Sequence, residues 1–235
     1  MDVVRNLSRY LPLLIIIAGA CFAWYFGLNK YLTFEAFKNH RAILELYIAN
    51  HYVLSVLIFA VVYVLVVSMS IPVATFMTVA GGFLFGQIIG TTIVVISATL
   101  GACILFFSAS LASHDLLLKK AGARVKKMQK GFQENALSYL ITLRLIPLFP
   151  FVLVNLAAAV FQIPLRTFFI ATLVGIIPGS FVYVSMGVAL KEVTYKTGLT
   201  PDLIVDPKII AAFVGLGVLS LAPVLYKYFQ KKRAK

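Results

Sequence analysis

The chain has 235 residues, 61% of them apolar and 12% charged, with a net charge of +13. A soluble domain carries about 25% charged residues, so this composition excludes an ordinary soluble core and indicates an integral membrane protein. The cations fall in short runs between apolar spans, not on a patch interleaved with aromatics, so membrane headgroups and not nucleic acid are the expected partner.

Arg5 and Arg9 precede the first apolar run, which continues through residues 11–27. A bilayer core needs about 20 apolar residues per helix, so this run is read as an uncleaved first span and not as a signal peptide. The connector 28–52 mixes acids and bases and is placed outside the bilayer. Segment 53–90 is too long for one crossing and carries breaker signals at Ser70-Ile71-Pro72 and at Gly81-Gly82. Gly82, Gly86 and Gly90 recur at four-residue spacing, continued by Ala98 and Ala102, and read as one small-residue face for close helix contact. Residues 91–113 form a continuous span.

Segment 114–135 is polar and carries Lys119, Lys120, Arg124, Lys126, Lys127 and Lys130. Over 115–132 an apolar stripe of Leu117, Ala121, Val125, Met128 and Phe132 predicts an amphipathic surface helix capped by Asp115. Segment 136–163 is apolar but interrupted by RLIPLFPFVLVN, residues 144–155. Pro147 and Pro150 each remove a backbone donor and disfavour helix just before them. Span 164–190 follows, with Gly175, Pro178 and Gly179 counted among the break and packing positions. A connector 191–207, a last span 208–229 and a basic tail complete the chain.

Lys and Arg counts put both termini and 114–135 in the cytoplasm. By parity, 53–90 and 136–163 each go in and return, from opposite faces. They also look related. At an offset of 75, Ile71-Pro72 falls on Ile146-Pro147, Gln87-Ile88 on Gln162-Ile163 and Thr92 on Thr167, and each following span has a central glycine, Gly101 or Gly175. The expected architecture is an all-α polytopic membrane protein, an inverted repeat with two opposed re-entrant hairpins plus about four full spans. The expected division is 1–52, a core over 53–190, and 191–235.

Irregular backbone at membrane depth survives only against protein or a wet cavity, so the two breaks should face each other or water. Arg144 is the sharpest candidate. A cation at mid-membrane costs at least ~2.5 kcal/mol and is usually functional, and its planar fork suits a phosphate or carboxylate. The competing reading is a side chain that snorkels to the interface. Asn155 is a further donor or a tie between the two hairpins, and Arg166 faces headgroups. All eight acids lie in connectors or at span edges, and no histidine is central in a span. That argues against a carboxylate proton relay, a metal site and catalytic chemistry; no enzyme activity and no cofactor are expected.

SIPVATFMTVAGGFLFG, RLIPLFPFVLVN and LVGIIPGSFVYVSMG resemble the three signature stretches of the DedA superfamily, the SNARE-associated Golgi or VTT-domain proteins, over roughly residues 53–190. The Arg-x-x-Pro-x-x-Pro run followed by Asn is most similar to the Tvp-type branch. The resemblance implies two opposed re-entrant hairpins and lipid translocation: phospholipid scrambling in eukaryotic relatives, and recycling of polyprenyl-phosphate carriers in some bacterial ones. It places Arg144 on the motif arginine. The proton-coupled branch has acids where this chain has Val73-Ala74-Thr75, and a second arginine where it has Leu148-Phe149.

The function expected is a lipid transporter or scramblase in a bacterial inner membrane. An ion- or proton-coupled solute transporter and a non-transporting scaffold are the alternatives. The partners expected are lipids with anionic headgroups, with a second copy of the chain as a further candidate.

Overall fold

The computed structural model describes residues 11–14, 16–19, 21, 25, 34–120, 135–145 and 149–197. Every element in that set is helical, as the apolar composition requires where backbone groups must pair within their own segment. The described residues between 11 and 25 are helical. The elements that follow are α1 (Phe34–Asn50), α2 (Tyr52–Ser68), α3 (Ala74–Phe85), α4 (Gln87–Lys120), α5 (Ala136–Leu145), α6 (Phe151–Val160) and α7 (Leu165–Thr197).

Among the described residues, two helices are long and apolar enough to cross a bilayer: Gln87–Ala112 and Leu165–Glu192, with mean hydropathy 2.3 and 1.9. They match the predicted spans 91–113 and 164–190. The predicted span 208–229 lies outside the described residues. Residues 28–52 are more than a connector, because 34–50 is helical and meets α2 at a bend of 119°.

Each half repeats one plan: a helix, a break, a short helix, a tight turn, a long helix. α2, α3 and α4 make the first half, and α5, α6 and α7 the second. The packing repeats as well. α2 lies on α4 and α5 on α7, whereas each short helix crosses over to the other half's long helix, α3 to α7 and α6 to α4. The two central glycines mark equivalent crossings. A methyl at Gly101 would sit 2.8 Å from the Val64 carbonyl oxygen of α2, and one at Gly175 would sit 2.7 Å from Arg144 Cβ of α5. The buried clusters follow the same division. Tyr63, Val66, Met77, Val94 and Val184 pack the first hairpin between the long helices. Phe106, Leu140, Val154, Ala158 and Phe168 pack the second, with Phe106 and Phe168 stacked at 4.3 Å.

The first break is where Pro72 places it, but its form comes from hydrogen bonds. Ser70, at φ 59°, ends α2 in a Schellman arrangement: Ser70 N–H donates to the Val67 carbonyl and Ile71 N–H to the Val66 carbonyl, both at 3.0 Å. Gln162, at φ 54°, ends α6 in the same way, with bonds to Ala159 and Ala158. The second break matches expectation too: α5 ends at Leu145, two residues before Pro147, and α6 begins after Pro150.

Four expectations are corrected. Gly81-Gly82 is no break; both lie inside α3, which turns at Gly86 instead. Gly82, Gly86 and Gly90 therefore do not share a helix face. Gly82 packs on Val184 of α7, Gly86 is the turn, and Gly90 packs back on Gly81. Pro178 lies within α7 and does not end it, so the loss of one donor costs a bond but not the helix. Asp115 is no helix cap, because α4 runs on through Lys120 over good helix formers, Leu116 to Lys120. Lys119 and Lys120 thus close α4, and Arg124, Lys126, Lys127 and Lys130 lie outside the described residues. At about 1.5 Å per residue this helix is some 50 Å long against a bilayer core of about 30 Å, so its last turns project beyond it.

Gly86 has φ 78° and ψ −175°, a region that is essentially glycine-only, and a methyl there would touch nothing within 4 Å. Gly86→Ala should therefore destabilise by roughly 1–3 kcal/mol through the backbone alone. Thermal unfolding in detergent checks this, and an unchanged midpoint would refute it.

Candidate functional site

The two breaks face one cavity of about 440 Å³. The first hairpin contributes Tyr63, Ser70, Pro72, Thr75 and Thr78; the second contributes Arg144, Phe149, Pro150 and Phe151; α7 closes it with Gly179, Ser180 and Tyr183. Pro72, Thr75, Phe149 and Pro150 are exposed, so the cavity opens outward between the breaks. Among the described residues, no Asp, Glu or His lines it.

Arg144 stands in the last turn of α5, where the helix dipole favours a cation. α5 ends at Leu145, as a proline at position 147 disfavours further helix, and glycine at 175 lets α5 settle onto α7 through Arg144 Cβ and Ile141 Cα. From there the guanidinium reaches three elements. Its Nη2 donates to Asn155 Oδ1 of α6 at 2.5 Å and to Thr172 Oγ1 of α7 at 3.1 Å. Its Nη1 donates weakly to the Phe151 carbonyl at 3.5 Å. The guanidinium carbon lies 4.3 Å from the Phe151 ring centre and 5.5 Å from that of Phe168. Charge-assisted bonds of about 1.5–3 kcal/mol and two π faces thus offset the cost of keeping a cation at this depth. This replaces the snorkelling reading, since the side chain turns inward to protein.

Two donors in this cluster lack acceptors. Arg144 Nε and Asn155 Nδ2 are buried with no hydrogen-bond partner among the described residues, and Asn155 is fully inaccessible. An arginine offers five N–H donors, and here the protein uses only part of that capacity. Two unpaired donors beside a cation form a site that asks for an acceptor, such as an anionic oxygen or water.

The first hairpin has its own clamp. Tyr63 of α2 bonds Thr78 of α3 through their hydroxyls at 2.8 Å, and Thr78 donates to the Ala74 carbonyl at 2.9 Å. So one polar pair ties the arms of each hairpin across its break: Tyr63 with Thr78, and Arg144 with Asn155.

Of the expected site residues, Arg144, Pro150 and Pro72 meet at the cavity, and Asn155 sits behind Arg144. Pro147 lies outside the described residues. Gly179 lines the cavity, Gly175 serves packing, and Arg166 is exposed at the start of α7. The sequence reading missed Tyr63, Thr78, Thr172, Ser180 and Tyr183. A usable signal existed for the first two: a polar residue on either side of a proline break, as Arg144 and Asn155 flank Pro147 and Pro150.

The VTT domain family model matches residues 71–189. The transmembrane protein 41 homolog of Caenorhabditis elegans is 31% identical over 196 residues, 82% of this chain and 78% of that protein. The homolog of the same name from Dictyostelium discoideum is 31% identical over 202 residues, 85% of this chain but 58% of that protein. Transmembrane protein 41B of Homo sapiens is 28% identical over 193 residues, 81% of this chain and 64% of that protein. No solved structure matches the chain.

Proposed function

Since the chain belongs to the VTT-domain family, within the DedA or SNARE-associated Golgi superfamily, we propose that it moves lipids across the membrane by passing an anionic headgroup between its two hairpin breaks. The observation that carries this reading is the cavity itself. Both breaks open onto it, and Arg144, the one cation lining it among the described residues, keeps a buried donor without an acceptor. A phosphate supplies the missing oxygens, and an exposed rim of Pro72, Phe149 and Pro150 leaves the hydrocarbon tails outside, in the bilayer. Phospholipids and polyprenyl-phosphate lipids both carry that headgroup chemistry.

A non-transporting scaffold is less well supported, because its hairpins would pack dry. Coupling to protons is less well supported as well, because no carboxylate or imidazole lines the cavity among the described residues. The residues present need only bind and release. Arg144 holds the anion by directed hydrogen bonds, with Thr172 and Asn155 bracing the guanidinium from behind, and the hydroxyls of Thr75, Ser180 and Tyr183 replace headgroup water. No covalent step is required. We place the chain in a bacterial inner membrane with both termini in the cytoplasm.

The test is purified protein in vesicles with fluorescent phospholipids, quenched from outside by dithionite. A further set of vesicles carries a labelled polyprenyl phosphate. Reconstituted protein should raise the quenched fraction from about half toward completion for at least one of these lipids. A fraction that stays at the protein-free level for both would refute the reading.

A further inference from the structure

A second hollow, of about 500 Å³, lies on the far side of the first hairpin from the polar cavity, between α1, α2 and α3. Its walls include Leu44 and Tyr47 of α1, Ile58 of α2, and Phe76, Met77 and Phe85 of α3. We propose that this groove is a lipid-tail site, holding one acyl chain of a bilayer lipid beneath α1. The inference is independent of whether the protein moves lipids.

Three observations select the occupant. The groove makes no demand for a polar ligand: the Ser55 hydroxyl is already bonded to the His51 carbonyl at 2.8 Å, and His40 is engaged too. Water needs two to four polar partners, whereas the polar side chains of the lining, His40, Tyr47 and Ser55, are set among ten apolar ones. Its rim is continuous with an exposed apolar strip of α2, since Leu44, Ile58 and Val62 are exposed alongside Leu54, Leu57, Val61 and Leu65. Its volume lies in the range of roughly 300–1,000 Å³ typical of small-ligand sites. The 119° bend between α1 and α2 is what creates the hollow, because it swings α1 over the hairpin instead of prolonging α2.

The site has a consequence through α3. That helix turns Thr75 and Thr78 to the polar cavity and Phe76, Met77 and Phe85 to the groove. A chain wedged in the groove therefore presses on the same short helix that forms one wall of the cavity.

The experiment uses the full chain in vesicles of phosphatidylcholine bearing a diazirine midway along one acyl chain, with adducts located by mass spectrometry. Met77 and Phe85 are 4% and 8% exposed, so lipid at the outer surface does not reach them. Adducts on Met77 or Phe85 are the expected result. Labelling confined to outward residues such as Leu57, Val61 and Ile96 would overturn the proposal, as would cross-links there to a second copy of the chain. Ser55→Phe, or Val62→Phe if the first does not fold, should cut the Met77 and Phe85 adducts by roughly an order of magnitude and leave Ile96 unchanged. Undiminished labelling of Met77 and Phe85 in a folded filled variant would overturn it also.

Discussion

Arg144→Met is expected to stop lipid movement while the protein still inserts. The loss has two parts. The anion site disappears, and a phosphate contact of this kind contributes about 1.5–3 kcal/mol, or roughly ten- to hundredfold in binding. The clamp disappears as well, because Asn155 Oδ1 is buried and Arg144 is its donor. An orphaned acceptor costs about 1–3 kcal/mol, so the variant should also unfold at lower temperature. The two parts can be separated. Arg144→Met with Asn155→Leu removes both partners, and should recover stability without recovering transport. Arg144→Lys keeps the charge but not the fork, so it should retain part of the rate. Asn155→Ala should cost less than Arg144→Met, because Thr172 still orients the guanidinium. Dithionite assays and thermal unfolding on the same preparations give both readings. Native-rate transport by folded Arg144→Met would reduce Arg144 to a brace.

Gly187→Val should be the most damaging packing change. A methyl at Gly187 would overlap the Val79 carbonyl oxygen, and one at Gly82 would overlap that of Val184. Position 79 meets 187 and position 82 meets 184, so α3 and α7 run antiparallel with their backbones in contact. Neither obstacle is a side chain that could rotate away. The cost should reach or exceed the upper end of the roughly 1–3 kcal/mol usual for overpacking. Transport should fail with it, since α3 carries one wall of the cavity. The comparison is Gly179→Ala, where a methyl meets nothing within 4 Å. That change should leave the unfolding midpoint unchanged or raise it, with helix propensity adding up to about 1 kcal/mol of stability. Equal losses in both variants would refute the close-approach argument.

The sequence by itself determined the membrane class, the two breaks and the repeat. Those follow from local physics. A chain with 12% charge cannot be an ordinary soluble core, and a proline ends a helix wherever it falls unless neighbours compensate. The offset of 75 was readable because equivalent turns need similar residues. The tertiary structure decided what each polar group faces. Thr172 is 28 positions from Arg144, and no local pattern joins them; they meet because glycine at 175 lets α5 lie on α7. It also decided which breaker signals act. Gly81-Gly82 stays helical because its small faces are filled by Phe59, Val94 and Val184, and α7 passes through Pro178 because 33 residues of packed helix outweigh one lost bond. Breaking a helix is a local tendency, but keeping one is a sum over contacts, and those contacts come from segments far away in the chain.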